Sequence, residues 1–238
     1  MDVLWPAARQ LVHQPNEITA GCAAKCAAAD FWEWGLRVGR KYGIIYVMKR
    51  AMDLVLVLLT FPLWGSVSLI VALILLCVQG RPVFYVSERA GKDGKAFRFW
   101  KFRTMRDGDG TDAERLTRIG KILRATSLDE LPQLGHVLSG KMSLVGPRPL
   151  PVRYLPRYTR CEARRHEVRP GITGWAQVNG RNNLTWEEKL AMDVWYVDHW
   201  SMGLDMKILL MTVKSVFFRT GINNPQYDTM CEFKGGQI

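Results

Sequence analysis

From Leu54 to Gly80 the chain runs for 27 residues without a formal charge, and no other feature limits its possible folds as strongly. As a helix, such a run is long enough to cross a bilayer core of about 30 Å. Core helices of soluble domains seldom continue so far uncharged, so membrane insertion is the expectation. Pro62 lies inside the run, in Thr60-Phe61-Pro62-Leu63-Trp64-Gly65-Ser66, where it must kink or break a helix. The arm from Leu63 to Val78 would span about 24 Å, short of a full crossing. The chain can therefore enter and return on one side as a re-entrant hairpin. A kinked span stays open, because neighbouring groups can satisfy the freed carbonyl. Lys49 and Arg50 before the run and Arg81 after it favour a cytoplasmic position for both flanks, which fits the hairpin better.

Charge adds a second constraint. Lys and Arg number 33 against 22 Asp and Glu, a formal charge of +11, while 48% of residues are hydrophobic, so a disordered basic tail is excluded. Between Lys141 and Arg169 eight basic residues face only Glu162 and Glu167. Pro147, Pro149, Pro151 and Pro156 interrupt that stretch, so it is no regular helix. Arginines on a proline-stiffened loop suit a preformed phosphate cradle. An anionic partner is expected: nucleic acid, a membrane surface or a phosphorylated substrate.

Several local patterns lead nowhere. Gly135 to Lys141 imitates a P-loop, but Met142 stands where a hydroxyl should hold magnesium. The acidic turn from Asp107 to Asp112 has Arg118 in place of a calcium-binding glutamate. Cys22 and Cys26 lack a matching second pair for zinc, and nothing in the cysteine pattern implies disulfides. Residues 203–220 read as a helix apolar around most of its circumference, which suits either the headgroup boundary, with Lys207 and Lys214 reaching outward, or packing under the core.

The segment Arg124-Ala-Thr-Ser-Leu-Asp129-Glu130-Leu-Pro132 carries more. Ser127 and Glu130 have the spacing of a capping box. That register, however, places Pro132 where it forfeits a backbone bond. A helix start nearer Pro132 leaves Asp129 and Glu130 at its entrance, between Arg124 and the arginine-rich loop. Such an inventory suits phosphoryl transfer: arginines and a hard cation neutralise a diphosphate, and a carboxylate then attacks phosphorus.

These residues stand among ordered strings: Gly80-Arg81-Pro82-Val83-Phe84-Tyr85, Ser87-Glu88-Arg89-Ala90-Gly91, Lys101-Phe102-Arg103-Thr104-Met105, Thr126 to Leu134, Ser143 to Pro149, and Arg169 to Asn182. Together, over about residues 49–222, they resemble the bacterial sugar transferase family, the monotopic phosphoglycosyl transferases. The resemblance implies transfer of a phosphosugar from a UDP-sugar to polyprenol (undecaprenyl) phosphate, with UMP released. It implies that Asp129 is the nucleophile and that Glu130 assists, with Asp129 and Glu130 as the Mg2+ carboxylates. It places Arg124 and Arg148, flanked by Pro147, on substrate phosphates, with Lys101 and Arg103 as further contacts. It also favours the re-entrant form over the kinked span.

The expected architecture is α+β and mainly α: a re-entrant membrane helix hairpin (49–80) broken at Pro62, interfacial amphipathic helices, and a small cytoplasmic catalytic domain (81–222) that includes the helix at 203–220. Residues 1–48 form an extension of unknown role, and 223–238 a tail. The expected setting is the cytoplasmic face of a bacterial inner membrane, with a homodimer possible. A nucleic-acid module is disfavoured because it leaves the apolar run and the dyad without a role, and the intact dyad argues against a non-catalytic scaffold. One departure concerns the break: the family usually has Ser-Pro, and Phe61 precedes Pro62 here, removing a hydroxyl that could serve a freed carbonyl.

Overall fold

The computed structural model describes residues 31–180, 184–218 and 232–235. Most of the extension, and the tail apart from 232–235, lie outside the described residues. Helix α1 (Phe31–Leu59) runs without interruption into the apolar stretch, so residues 31–48 continue the same helix. Helix α2 (Phe61–Gln79) follows after the single turn residue Thr60. Pro62 sits in the first turn of α2, where its missing N–H interrupts no helical bond.

Side chains at this break bond carbonyls in the last turns of α1. The Thr60 hydroxyl donates to Leu56 O at 2.6 Å, and the Trp64 indole N–H donates to Val57 O at 3.0 Å. Phe61 stands edge-on to Trp64 with ring centroids 5.0 Å apart. With no hydroxyl before Pro62, the Trp64 indole serves Val57 O instead. Helix α2 is long and apolar enough to cross a membrane. Only one side of it is covered: Val71 and Leu75 pack with Phe102 and Leu123, whereas Leu63, Leu69, Ile70, Leu73 and Val78 are exposed.

The charged flank of α1 is engaged by the rest of the protein. Lys49 makes a buried ion pair with Asp205, Arg50 donates to Val137 O at 2.5 Å and Leu138 O at 3.0 Å, and Asp53 accepts from Ser143 Oγ at 2.7 Å. Three successive polar contacts therefore fasten the apolar helix pair to the rest of the protein.

Beyond α2, strands β1 (Phe84–Ala90) and β2 (Ala96–Phe102) form an antiparallel hairpin with Tyr85 opposite Lys101 and Val86 opposite Trp100. Its turn uses positive φ at Asp93 and Gly94. After the short α3 (Asp112–Arg115), helix α4 (Arg118–Ala125) carries Arg124, and a 3-10 turn (Leu128–Gln133) leads into α5 (Leu134–Leu138). Strand β3 (Ser143–Val145) pairs in parallel with β4 (Gly171–Thr173) across a long crossover that includes α6 (Arg160–Ala163). Gly146 and Gly171 are required by close approach, since a Cβ on Gly171 would lie 2.1 Å from Gly146 N.

Helices α7 (Trp175–Val178), α8 (Trp186–His199) and α9 (Met202–Phe218) close over this pair, burying Val145, Trp175, Met192, Tyr196 and Ile208 together. Helix α9 packs against the core on one side, with Lys207 lying 5.5 Å from the Trp175 ring, and is open on the other. Ile208 and Asp205 are buried, while Leu210 and Val213, on the open side, are 67% and 54% exposed.

The cysteine pattern was misleading at one position: Cys161 is disulfide-bonded. The chain end at 232–235 returns to this region, where Phe233 packs with Tyr154 and Glu232 pairs with Arg157. Contact between segments so far apart in sequence leaves no trace in spacing.

Candidate active site

The Asp129–Glu130 pair is held by an unusual backbone. Ser127 adopts φ 57°, left-handed, and its side chain makes no capping bond, so the capping box does not form. Instead Ser127 N donates to Arg124 O at 3.2 Å, and Glu130 N donates to Ser127 O at 3.3 Å. Regular helix begins only at Leu134, after Pro132, which leaves both carboxylates in the tight turn before it. That turn lies against α2 through Leu128 and Leu131, so the dyad is fixed at the edge of the apolar helix.

Glu130 forms a two-pronged ion pair with Arg148, with one arm at 3.3 Å. Asp129 is different. Only 6% of it is exposed, yet its carboxylate accepts no hydrogen bond and makes no ion pair among the described residues. The other buried aspartates are all engaged: Asp53 by Ser143, Asp193 by Arg165, and Asp205 by Lys49, Tyr196 and Trp200. Burial, reinforced by the neighbouring Glu130 charge, holds the Asp129 carboxyl up at about 6; Lys101, Arg148 and Arg124 oppose the shift.

Those three cations come from separate elements. Lys101 projects from β2 with its ammonium 5.3 Å from the Tyr85 ring, and burial, with the nearby Arg124, draws its pKa down. Arg124 is steadied by Thr104, whose hydroxyl accepts from Nε at 3.1 Å. Arg148 is set by its backbone: the buried Arg165 donates to Arg148 O at 2.7 Å while bonded to Asp193 at 2.7 Å. Pro147 is buried, and its carbonyl accepts from Gly171 N at 3.0 Å, which ties the loop to β4.

Arg103 is not brought into this cluster. Its guanidinium donates to Gln79 O at 2.6 Å and Gly80 O at 3.3 Å and pairs with Asp107, closing the carbonyl end of α2. Two cations that reading the sequence did not single out lie near Arg148, although neither is among the charges acting on Asp129. Arg89 is lowered by burial and then by Arg148, and burial with Arg148 draws Lys189 down to about 8. Arg89 stood in one of the family strings; Lys189, on α8, had no signal of its own.

Three cations, the half-buried Lys101 and Arg124 and the more exposed Arg148, around one unengaged carboxylate suit an anion carrying several charges. No cluster of three or more metal-ligating side chains occurs among the described residues. Asp129 and Glu130 still fit magnesium, which commonly takes one or two carboxylates together with substrate phosphates.

Comparison with known proteins places the chain. The family model described as bacterial sugar transferase matches residues 44–219. An uncharacterized sugar transferase of Bacillus subtilis, EpsL, is 48% identical over 195 residues, covering 79% of this chain and 96% of that protein. The UDP-glucose:undecaprenyl-phosphate glucose-1-phosphate transferase of Escherichia coli is 39% identical over 201 residues, covering 78% of this chain. The galactosyl transferase CpsE of Streptococcus agalactiae is 42% identical over 163 residues, covering 60% of this chain. The chain spans 42% and 36% of the length of these last two relatives. The protein described here belongs to the bacterial sugar transferase family.

Proposed function

We propose that this protein is a phosphoglycosyl transferase that moves a phosphosugar from a UDP-sugar to polyprenol phosphate through a covalent aspartyl intermediate. The observation that carries the reading is Asp129: buried, unengaged, and surrounded by Lys101, Arg124 and Arg148. Related proteins named for UDP-glucose and undecaprenyl phosphate support the same substrate classes.

In the first step an Asp129 carboxylate oxygen attacks the β-phosphorus of the UDP-sugar. The bond from that phosphorus to the bridging oxygen breaks, and UMP leaves with the electron pair. In the second step a phosphate oxygen of the polyprenol phosphate attacks the same phosphorus and expels Asp129, giving a polyprenyl diphosphosugar. Lys101, Arg124 and Arg148 stabilise charge on the leaving and transferring groups. Glu130 orients Arg148 through their paired contacts. Magnesium, held by Asp129 and Glu130 together with the diphosphate, would supply further neutralisation.

In this reading α1 and α2 form a re-entrant hairpin in the inner membrane, with the catalytic domain on the cytoplasmic face, so a lipid-borne acceptor reaches Asp129 at the bilayer boundary. The test is intact-mass analysis of protein quenched with a panel of UDP-sugars and no acceptor. A hexose-phosphate adduct on the parent protein and none on Asp129→Asn supports the scheme. Lipid product accumulating without any adduct overturns it.

A further inference from the structure

Away from the dyad, three side chains from three parts of the chain meet where α1 approaches its apolar run. Tyr46 lies on α1. The Arg169 guanidinium is centred 4.9 Å from its ring, and the Lys92 ammonium, from the β1–β2 turn, lies 5.1 Å from the same ring. Both cations are half-buried, and neither has a hydrogen bond or an ion pair among the described residues. Two nearby carboxylates are engaged elsewhere, Asp205 by Lys49 and Asp53 by Ser143, and the exposed Asp93, next to Lys92 in sequence, makes no ion pair among the described residues. Tyr46 and Arg169 also line a small cleft with Lys49, Arg50, Asp53 and Trp200, and Lys92 stands outside its lining.

Converging cations with no counter-charge, held against one aromatic ring, are costly to keep together unless an anion joins them. The position narrows which anion. Val47 and Met48, the next residues on α1, are 67% and 54% exposed, and Leu54 begins the uncharged run. Tyr46 and Trp200, ring centroids 6.4 Å apart, are the residue types that settle at a headgroup layer. We propose that the Tyr46–Lys92–Arg169 cluster binds the phosphate of an anionic phospholipid headgroup. Neither cation is among the charges acting on Asp129, so the site anchors the domain to the lipid surface without being part of the chemistry. The proposal rests on membrane association and not on the reaction at Asp129.

The experiment is native mass spectrometry of the full chain in detergent, titrated with short-chain phosphatidylglycerol or phosphatidylcholine. The parent protein should retain one phosphatidylglycerol in clear preference to phosphatidylcholine. Each interfacial cation contributes about fivefold, so the Lys92→Gln/Arg169→Gln double variant should bind phosphatidylglycerol roughly 25-fold more weakly. Lys92→Gln alone, on an open turn, should lose about fivefold and covers the case in which the double variant does not fold. Unchanged retention by the variants, or equal retention of the two lipids, overturns the proposal. So does displacement by millimolar inorganic phosphate, which marks a free-anion site, or by one equivalent of a short polyprenyl phosphate, which marks an acceptor site. Equal retention of the two lipids by a parent protein that still releases UMP counts against this site alone.

Discussion

Replacing Asp129 with Asn should abolish turnover and, at the same time, make the protein more stable. The neutral amide stands in for the protonated acid, the form that the site favours: burial and Glu130 hold the carboxyl at about 6 against 3.8 for an unburied group. That difference corresponds to about 3 kcal/mol of destabilisation by the ionised form. A folded pKa above the unfolded one means that the unfolded chain loses its proton first as pH rises. Stability of the parent protein therefore falls between about pH 4 and pH 6 and stays low above that. Asp129→Asn escapes this loss. At pH 8 it should melt several degrees higher, given about 2–4 °C per kcal/mol for a chain of this size. At pH 4.5 the advantage should shrink to about a third. Intrinsic tryptophan fluorescence melts in detergent, run at both pH values, measure this directly. An Asn variant equal to or less stable than the parent at pH 8 would refute the claim that Asp129 is kept unengaged at an energetic cost. The same titration predicts that the rate of UMP release rises with pH through about 6, since only the carboxylate attacks.

Three further outcomes follow from the geometry. Arg148→Ala should lower kcat/KM for the nucleotide sugar by about 100-fold, measured as UMP release at low substrate, and a change under threefold would remove Arg148 from phosphate binding. Arg165→Met should destabilise by about 3–5 kcal/mol, because it strands the buried Asp193. Adding Asp193→Asn to it should recover part of that loss in a thermal melt, and no recovery would show that the pair is not the cause. Gly120→Ala should lower the melting temperature despite alanine's better helix propensity, because its Cβ would lie 2.0 Å from Thr104 O; a higher melting temperature would show that α4 can move away.

Much of this molecule was written locally. The uncharged run with its proline, the Asp-Glu pair before Pro132, and the proline-stiffened arginines each express a short-range rule of hydropathy, ring geometry or charge, so they could be read before any contact was known. What the sequence could not decide was which of those groups would be occupied. Arg103 looked like a phosphate ligand but closes the end of α2, while Arg89 and Lys189 come near Arg148 from a strand and a helix distant in sequence. Ser127 and Glu130 had the spacing of a capping box, yet left-handed backbone at Ser127 and the pairing of Glu130 with Arg148 override it. Engagement of a side chain depends on distances across the fold. Only tertiary packing gave partners to Asp53, Asp193 and Asp205 and left Asp129 with none among the described residues, and that difference marks the candidate nucleophile.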